Sequence, residues 1–288
     1  LKDERVWYKA NPSLGDGIPG LKYLREQVTE ARGMPAKESV VRRLNFCQWV
    51  ESSAPWIGQR AWMDATGVVP PELLVGRRCW AGLDLSSTTD LTALVLIFEP
   101  TEADPVWRLL PTFWLPEEGL HEKADKDRVP YLAWRDAGWL ETTPGRAINK
   151  LHVIHRLTEL AAQYDLQSIA YDRWRIEDLK QLIDSEGVNL PALVPFGQGF
   201  KDMSPALDEF ERRLLNSQLE HNGNPILTWC AANAVTASDP AGNRKVSKDK
   251  ATGRVDGIVA AIMAVGVTIK EDVSDGPSVY EDRGVLIL

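Results

Sequence analysis

CWAGLDLSSTTDLTALVLIFE, residues 79–99, decides the fold. Its first part, CWAGLDLS, is a short apolar run bounded by turn residues, and LTALVLIFE is a longer one. Both read as strands. VWRLLPTFWLP (106–116) is a third, with Pro111 pointing to an edge or a bulge. Three strands in succession predict an antiparallel meander. Asp84 lies inside the first strand on the same face as Gly82. A carboxylate there is costly to bury unless it is paired or binds a cation; alone, it also reads as a solvated strand end.

Downstream the pattern alternates. A helix is predicted over Asn149–Tyr164, a strand over SIAYD (168–172), a helix over EDLKQLIDSEG closed by Gly187, and a strand over ALVPF (192–196). Ser204-Pro205 reads as a cap and first position opening the helix PALDEFERRLLN. NPILTWCAANAV fits helix or strand, and GNRKVSKDKATGR a polar loop or hairpin. DGIVAAIMAVGVTI is a last, almost wholly apolar helix. Residues between Thr112 and Lys150 yield no firm assignment. The whole implies an α/β fold, a mixed sheet with helices on its faces.

Upstream, residues 1–76 read differently. NPSLGDGIPG is turn-rich, a polar helix spans Leu21–Arg32, and a second follows Pro35 with Val40, Val41, Leu44 and Trp49 at helical spacing. Pro70-Pro71 forces extended chain. The expected division is a helical linker over 1–76, the α/β domain over 77–270, and a polar, mobile tail over 271–288.

Of the 288 residues, 44% are apolar and 26% charged, ordinary for a globular protein. No apolar run approaches the roughly 20 residues of a membrane helix, and the start LKDERVWYKANP is not a secretory signal. The opening Leu1 reads as a fragment or a processed product. Cys47, Cys79 and Cys230 form no CxxC pair, which points to a reducing cytosol. His152 and His155 stand three apart on a helix without the partners of a zinc site. The eleven tryptophans are scattered without a stripe, which favours core packing over base stacking.

Two further aspartates join Asp84. Asp172 ends the SIAYD strand, where ligands of α/β sheets usually bind, though it equally reads as a helix cap. Asp256 starts the last helix, and its default role is also a cap. The apolar helix behind it must lie against the sheet, which holds Asp256 over the sheet's tip. Three carboxylates without zinc-type ligands suit two Mg²⁺ or Mn²⁺ ions. A pair of such ions about 4 Å apart can activate a water and stabilise the leaving 3′ oxygen of a phosphodiester. Asp90 is a fourth candidate metal ligand, or else a turn aspartate.

The net charge of −8 does not advertise nucleic-acid binding, but a local patch overrides a whole-chain sum. Arg244, Lys245, Lys248, Lys250 and Arg254 precede Asp256 directly and suit phosphate contact; a solvated hairpin is the plainer reading. GxxxxGK[ST] and GxSxG are absent, so no P-loop for ATP is expected in this chain. Glu99 is read as a strand-end residue.

Taken in order and spacing, CWAGLDLSSTTDLTAL, IAYDRWR, HNGNPILTWCAANAV and GNRKVSKDKATGRVDGIVAAIMA resemble the nuclease domain of tailed-phage large terminase subunits over about residues 77–269. WYKANPSLG…RRLNFCQWV resembles the end of the terminase ATPase region and its linker. The resemblance implies a ribonuclease H-like fold and an endonuclease that cuts concatemeric double-stranded DNA during packaging. It carries the family's acids onto Asp84, Asp172 and Asp256. It also implies the portal protein and the small terminase subunit as partners, and the host cytoplasm as the setting, with no membrane. Lacking the Walker-type ATPase, this chain is expected to cut DNA but not to pump it.

Two readings compete. A transposase- or resolvase-type nuclease keeps the fold and changes the reaction, though transposases usually present Glu as the third acid. A non-catalytic DNA- or portal-docking module would use the aspartates only as caps, and would bind no Mn²⁺ through Asp84 and Asp172.

Overall fold

Strand β1 (Arg78–Asp84) runs through the middle of a mixed sheet, which is why nearly all of it is buried. It pairs antiparallel with β2 (Thr92–Phe98), which pairs antiparallel with β3 (Trp107–Pro116), giving the expected meander. Beyond β3 comes β4 (Glu141–Thr143). On the other side β1 pairs parallel with β5 (Asp165–Asp172), and β5 with β6 (Ala192–Phe196). β7 (Leu219–His221) also lies parallel to β3. Pro111 falls between Leu109, where pairing with β7 stops, and Trp114, where pairing with β4 begins. A residue without an N–H is tolerated on such an uncovered stretch of edge. The computed structural model describes residues 3–33, 35–47, 55–68, 70–86, 88–172 and 177–274. Trp49, the residues after Asp172 in YDRWR, and 275–288 of the expected tail lie outside them; 271–274, expected as tail, continue the last helix.

Both sheet faces are covered, so β2 reads as a continuous apolar run rather than an alternating one. Ala93, Val95 and Ile97 enter one core; Leu94, Leu96 and Phe98 enter the other.

Ahead of the sheet, α1 (Trp7–Ala10), α2 (Leu21–Gly33) and α3 (Pro35–Phe46) share a small core of their own around Trp7, Leu24, Val28, Val41 and Phe46. α4 (Gln59–Asp64) behaves differently. Trp62 stacks on His221 of β7 at 4.1 Å, and the Trp56 N–H donates to the Ala234 carbonyl at 2.8 Å. Residues 56–65 of the expected linker therefore supply Trp56, Ile57, Trp62 and Ala65 to the sheet's own core.

The stretch after β3 holds α5 (Leu120–Asp127) and α6 (Tyr131–Asp136). α7 (Lys150–Gln163), capped by Asn149, and α8 (Glu177–Glu186), followed by Gly187 at φ +63°, cover one face. α9 (Phe200–Leu215), α10 (Pro225–Asn233) and α11 (Asp256–Ser274) cover the other. A hairpin of β8 (Thr236–Ser238) and β9 (Arg244–Val246) leads into α11. This is the ribonuclease H-like arrangement expected from the sequence.

One expectation is corrected. α9 begins at Phe200, after Gly199, and Pro205 lies inside it. Starting a turn earlier buries Met203 against the core, and this outweighs the backbone hydrogen bond that proline cannot make. Ser204 does not cap the helix; its Oγ accepts the Arg244 N–H at 3.0 Å and anchors the hairpin. NPILTWCAANAV, open between helix and strand, is the helix α10, with Asn224 capping and Pro225 at its first position.

Candidate active site

The sheet brings two of the aspartates together through its register. In the parallel β1–β5 pair, Gly82 stands beside Ala170 and Leu83 beside Tyr171. One step further, Asp84 and Asp172 end the neighbouring strands at the same tip. With side chains alternating along each strand, both fall on the face of Gly82 and Ala170, the face that α11 covers.

Gly82 brings in the third. A Cβ at this position would collide with the backbone of Ala260, so α11 rests directly on β1. From this contact, two residues along the strand reach Asp84, roughly 7 Å away. Four residues back along the helix reach Asp256, about 6 Å away. The helix runs counter to the strand, so both carboxylates arrive at one place.

Lys248, two residues beyond β9, sits where they meet. Its Nζ donates to Asp84 Oδ2 at 2.9 Å and lies 3.8 Å from Asp256 Oδ1. Burial disfavours the ammonium, but the charges of Asp84, Asp256 and Asp172 prevail and raise its pKa above the ordinary lysine value. The Ser247 N–H, bonded to the Val235 carbonyl, fixes the chain just ahead of it. Two residues past the end of β6, the Gln198 amide donates to Asp84 Oδ1 at 3.3 Å.

Asp256 is the most strained acid. Burial first, and the charge of Asp84 second, push its carboxyl up to about 6, against the opposing pull of Lys248 and Arg254. Its Oδ2 is buried without a hydrogen-bond partner. A capping oxygen accepts a backbone N–H; the carboxylate gains from its own backbone N–H, but Oδ2 is left without a partner.

As the side chains lie, the described residues contain no group of three or more His, Cys, Asp or Glu positioned to hold a metal ion. The donor set nonetheless fits one. It offers only carboxylate oxygens, one of them orphaned, around a point already taken by a positive charge.

Asp90 is engaged elsewhere. Its carboxylate pairs with Arg254 at 2.9 Å and Lys123 at 3.6 Å. Both cations also approach Asp127, which accepts the Tyr131 hydroxyl at 3.2 Å. The basic residues each find different partners. Arg244 pairs with Asp208 and Glu211 of α9. Lys245 lies over the Phe200 ring. Lys250 is exposed.

Gln198, Lys123, Asp127 and Tyr131 escaped the sequence reading. Only Gln198 left a signal: it lies two residues past Phe196, the residue beside Asp172 at the end of β6.

Comparison with known proteins gives a consistent answer. A family model described as terminase large subunit, endonuclease domain, matches residues 1–272. The chain is 43% identical over 276 residues to the large terminase subunit of Enterobacteria phage HK97, covering 96% of this chain and 53% of that protein. It is 23% identical to the protein YmfN of Escherichia coli K12, covering 92% and 59%. The crystal structure of the HK97 large terminase superposes with a TM-score of 0.69 at 42% identity, covering 93% of this chain and 54% of that one. The chain thus spans between half and three-fifths of the length of these relatives. It belongs to the family of terminase large subunit endonuclease domains.

Proposed function

We propose that this chain is a metal-dependent DNA endonuclease of phage genome packaging, cleaving concatemeric double-stranded DNA with Asp84, Asp172 and Asp256 as its metal-holding acids. The observation that supports the reading is Lys248 bridging Asp84 and Asp256, with the charge of Asp172 also felt there and Asp256 Oδ2 buried and unbonded. Bulk water does not satisfy that oxygen, and neither does the helix behind it; a divalent cation would.

Two Mg²⁺ or Mn²⁺ ions held there would supply Lewis acidity for activating a water and stabilising the leaving 3′ oxygen. The chain's own residues do the rest. Gln198 orients Asp84 through Oδ1 and leaves Oδ2 to the cation side. α11 holds Asp256 over the tip, and the Gly82 contact fixes its distance from Asp84. Lys248 and Arg254 flank the acids, and with the exposed Lys250 they would present positive charge to a phosphodiester backbone. Association with a portal protein and a small terminase subunit, in the host cytoplasm, completes the proposal; it rests on family membership.

Supercoiled plasmid incubated with Mn²⁺ or Mg²⁺ tests the reading. Wild type should nick and linearise it, while Asp84→Ala and Asp172→Ala should not, and EDTA should stop the reaction. Equal cleavage by wild type and Asp84→Ala would overturn it.

A further inference from the structure

We infer that Lys248 is a tethered cation that occupies the metal-binding position when no metal is present and is displaced when divalent ions enter. The inference rests on the metal-binding reading above and adds a competitor built into the chain. Three observations carry it.

The first is position. The Lys248 ammonium touches Asp84 at 2.9 Å, lies 3.8 Å from Asp256, and carries the electrostatic pull of Asp172. A point bridging Asp84 and Asp256 is where a cation shared by those two acids would sit. The second is need. Asp84 is 6% exposed and Asp256 is largely buried beside it, so two like charges face each other in a poorly hydrated place. Without a counter-charge the empty site would repel itself. The third is freedom to leave. Lys248 keeps 47% of its side chain exposed, against 8% for that of Asp84. It stands two residues beyond the end of β9, outside any strand or helix. Its exposed side chain leaves a path to solvent.

An ammonium and a divalent ion cannot share the same oxygens, so occupancy by one excludes the other. The vacated lysine stays tethered beside the acids, where a scissile phosphate offers it a new partner. Metal entry thereby redirects a positive charge from the carboxylates to the substrate.

Lys248→Met keeps the stem and removes the charge. Mn²⁺ binding is measured by calorimetry at neutral pH, without DNA, for wild type, Lys248→Met, and both in an Asp84→Asn background. If the bridge is closed about nine-tenths of the time, removing it tightens apparent Mn²⁺ affinity about tenfold. Asp84→Asn should weaken binding in both backgrounds. A second readout uses the wild-type chain: ¹³C-methylated lysines followed by NMR during Mg²⁺ titration. The Lys248 resonance, assigned with the variant, should move over the same Mg²⁺ range that saturates the site. Equal or weaker Mn²⁺ binding by Lys248→Met, or a Lys248 signal unmoved at saturating Mg²⁺, overturns the inference and leaves the metal site standing. No Mn²⁺ binding by either protein overturns both.

Discussion

Ala260 of α11 rests on Gly82 of β1 with no room for a side chain between them. That contact positions the candidate active site, because Asp84 lies two residues beyond it and Asp256 four residues before it. Gly82→Ala forces helix and strand apart. Overpacking of this kind costs about 1–3 kcal/mol, and the obstruction here is backbone. The expected outcome is a lower Tm together with a loss of Mn²⁺-dependent cleavage larger than the stability loss explains. Wild-type cleavage by Gly82→Ala at a temperature where it is fully folded would show that this spacing does not matter.

Asp256 costs the metal-free protein stability at neutral pH. Its carboxyl is raised from 3.8 to about 6 by burial and by Asp84. A raised acid binds its proton more tightly folded than unfolded, so this group makes the metal-free protein more stable as pH falls from about 6 toward 4. Above pH 6 its charge is a net cost. Asp256→Asn should therefore raise metal-free stability at pH 7.5 by on the order of 1–3 kcal/mol, seen as a higher Tm, while abolishing cleavage. Thermal melts in EDTA check this; a lower Tm for Asp256→Asn contradicts it.

Asp104 acts in the opposite sense and far from the site. Hydrogen bonds from Arg108, and then from Arg77, hold its carboxyl at about 2 against the effect of burial. A lowered acid contributes stability that is complete above pH 4 and lost as pH falls toward 2. The contribution is about 2 kcal/mol. Asp104→Asn should lower stability at pH 7 and flatten the acid limb of a denaturation curve between pH 4 and 2. An unchanged acid limb would count against it.

Arg254 is restrained by Asp90 at 2.9 Å, both side chains being partly exposed. Asp90→Asn should release the guanidinium and tighten binding of a duplex oligonucleotide in EDTA a few-fold. Arg254→Ala should weaken it and reduce the salt dependence by about one phosphate contact. Fluorescence anisotropy across a salt series separates these outcomes. Weaker binding by Asp90→Asn would give the pair a purely structural role.

Much of this was legible in the chain. CWAGLDLS and LTALVLIFE gave the meander, and the apolar DGIVAAIMAVGVTI had to lie on a sheet. Asp84, Asp172 and Asp256 stood out because charges at strand tips and at the start of a buried helix need a reason. What stayed hidden depends on tertiary contact. Trp56 and Trp62 lie in a stretch without periodicity, yet they pack on Phe210 and His221. Ser204-Pro205 carries a helix-start signal that burial of Met203 overrides. The five basic residues are neighbours in sequence, but the hairpin gives them different partners: Arg244 turns to α9, Arg254 to Asp90, and Lys248 to the acids. Sequence proximity does not reveal that division.

Anomalous diffraction from a crystal of this chain soaked in Mn²⁺ bears most directly on whether Asp84, Asp172 and Asp256 form one metal centre. The account predicts anomalous peaks within about 2.5 Å of carboxylate oxygens from all three, with the Lys248 ammonium moved off Asp84. A fully soaked crystal with no peak at this tip of the sheet, or with Mn²⁺ held by other residues, would contradict it.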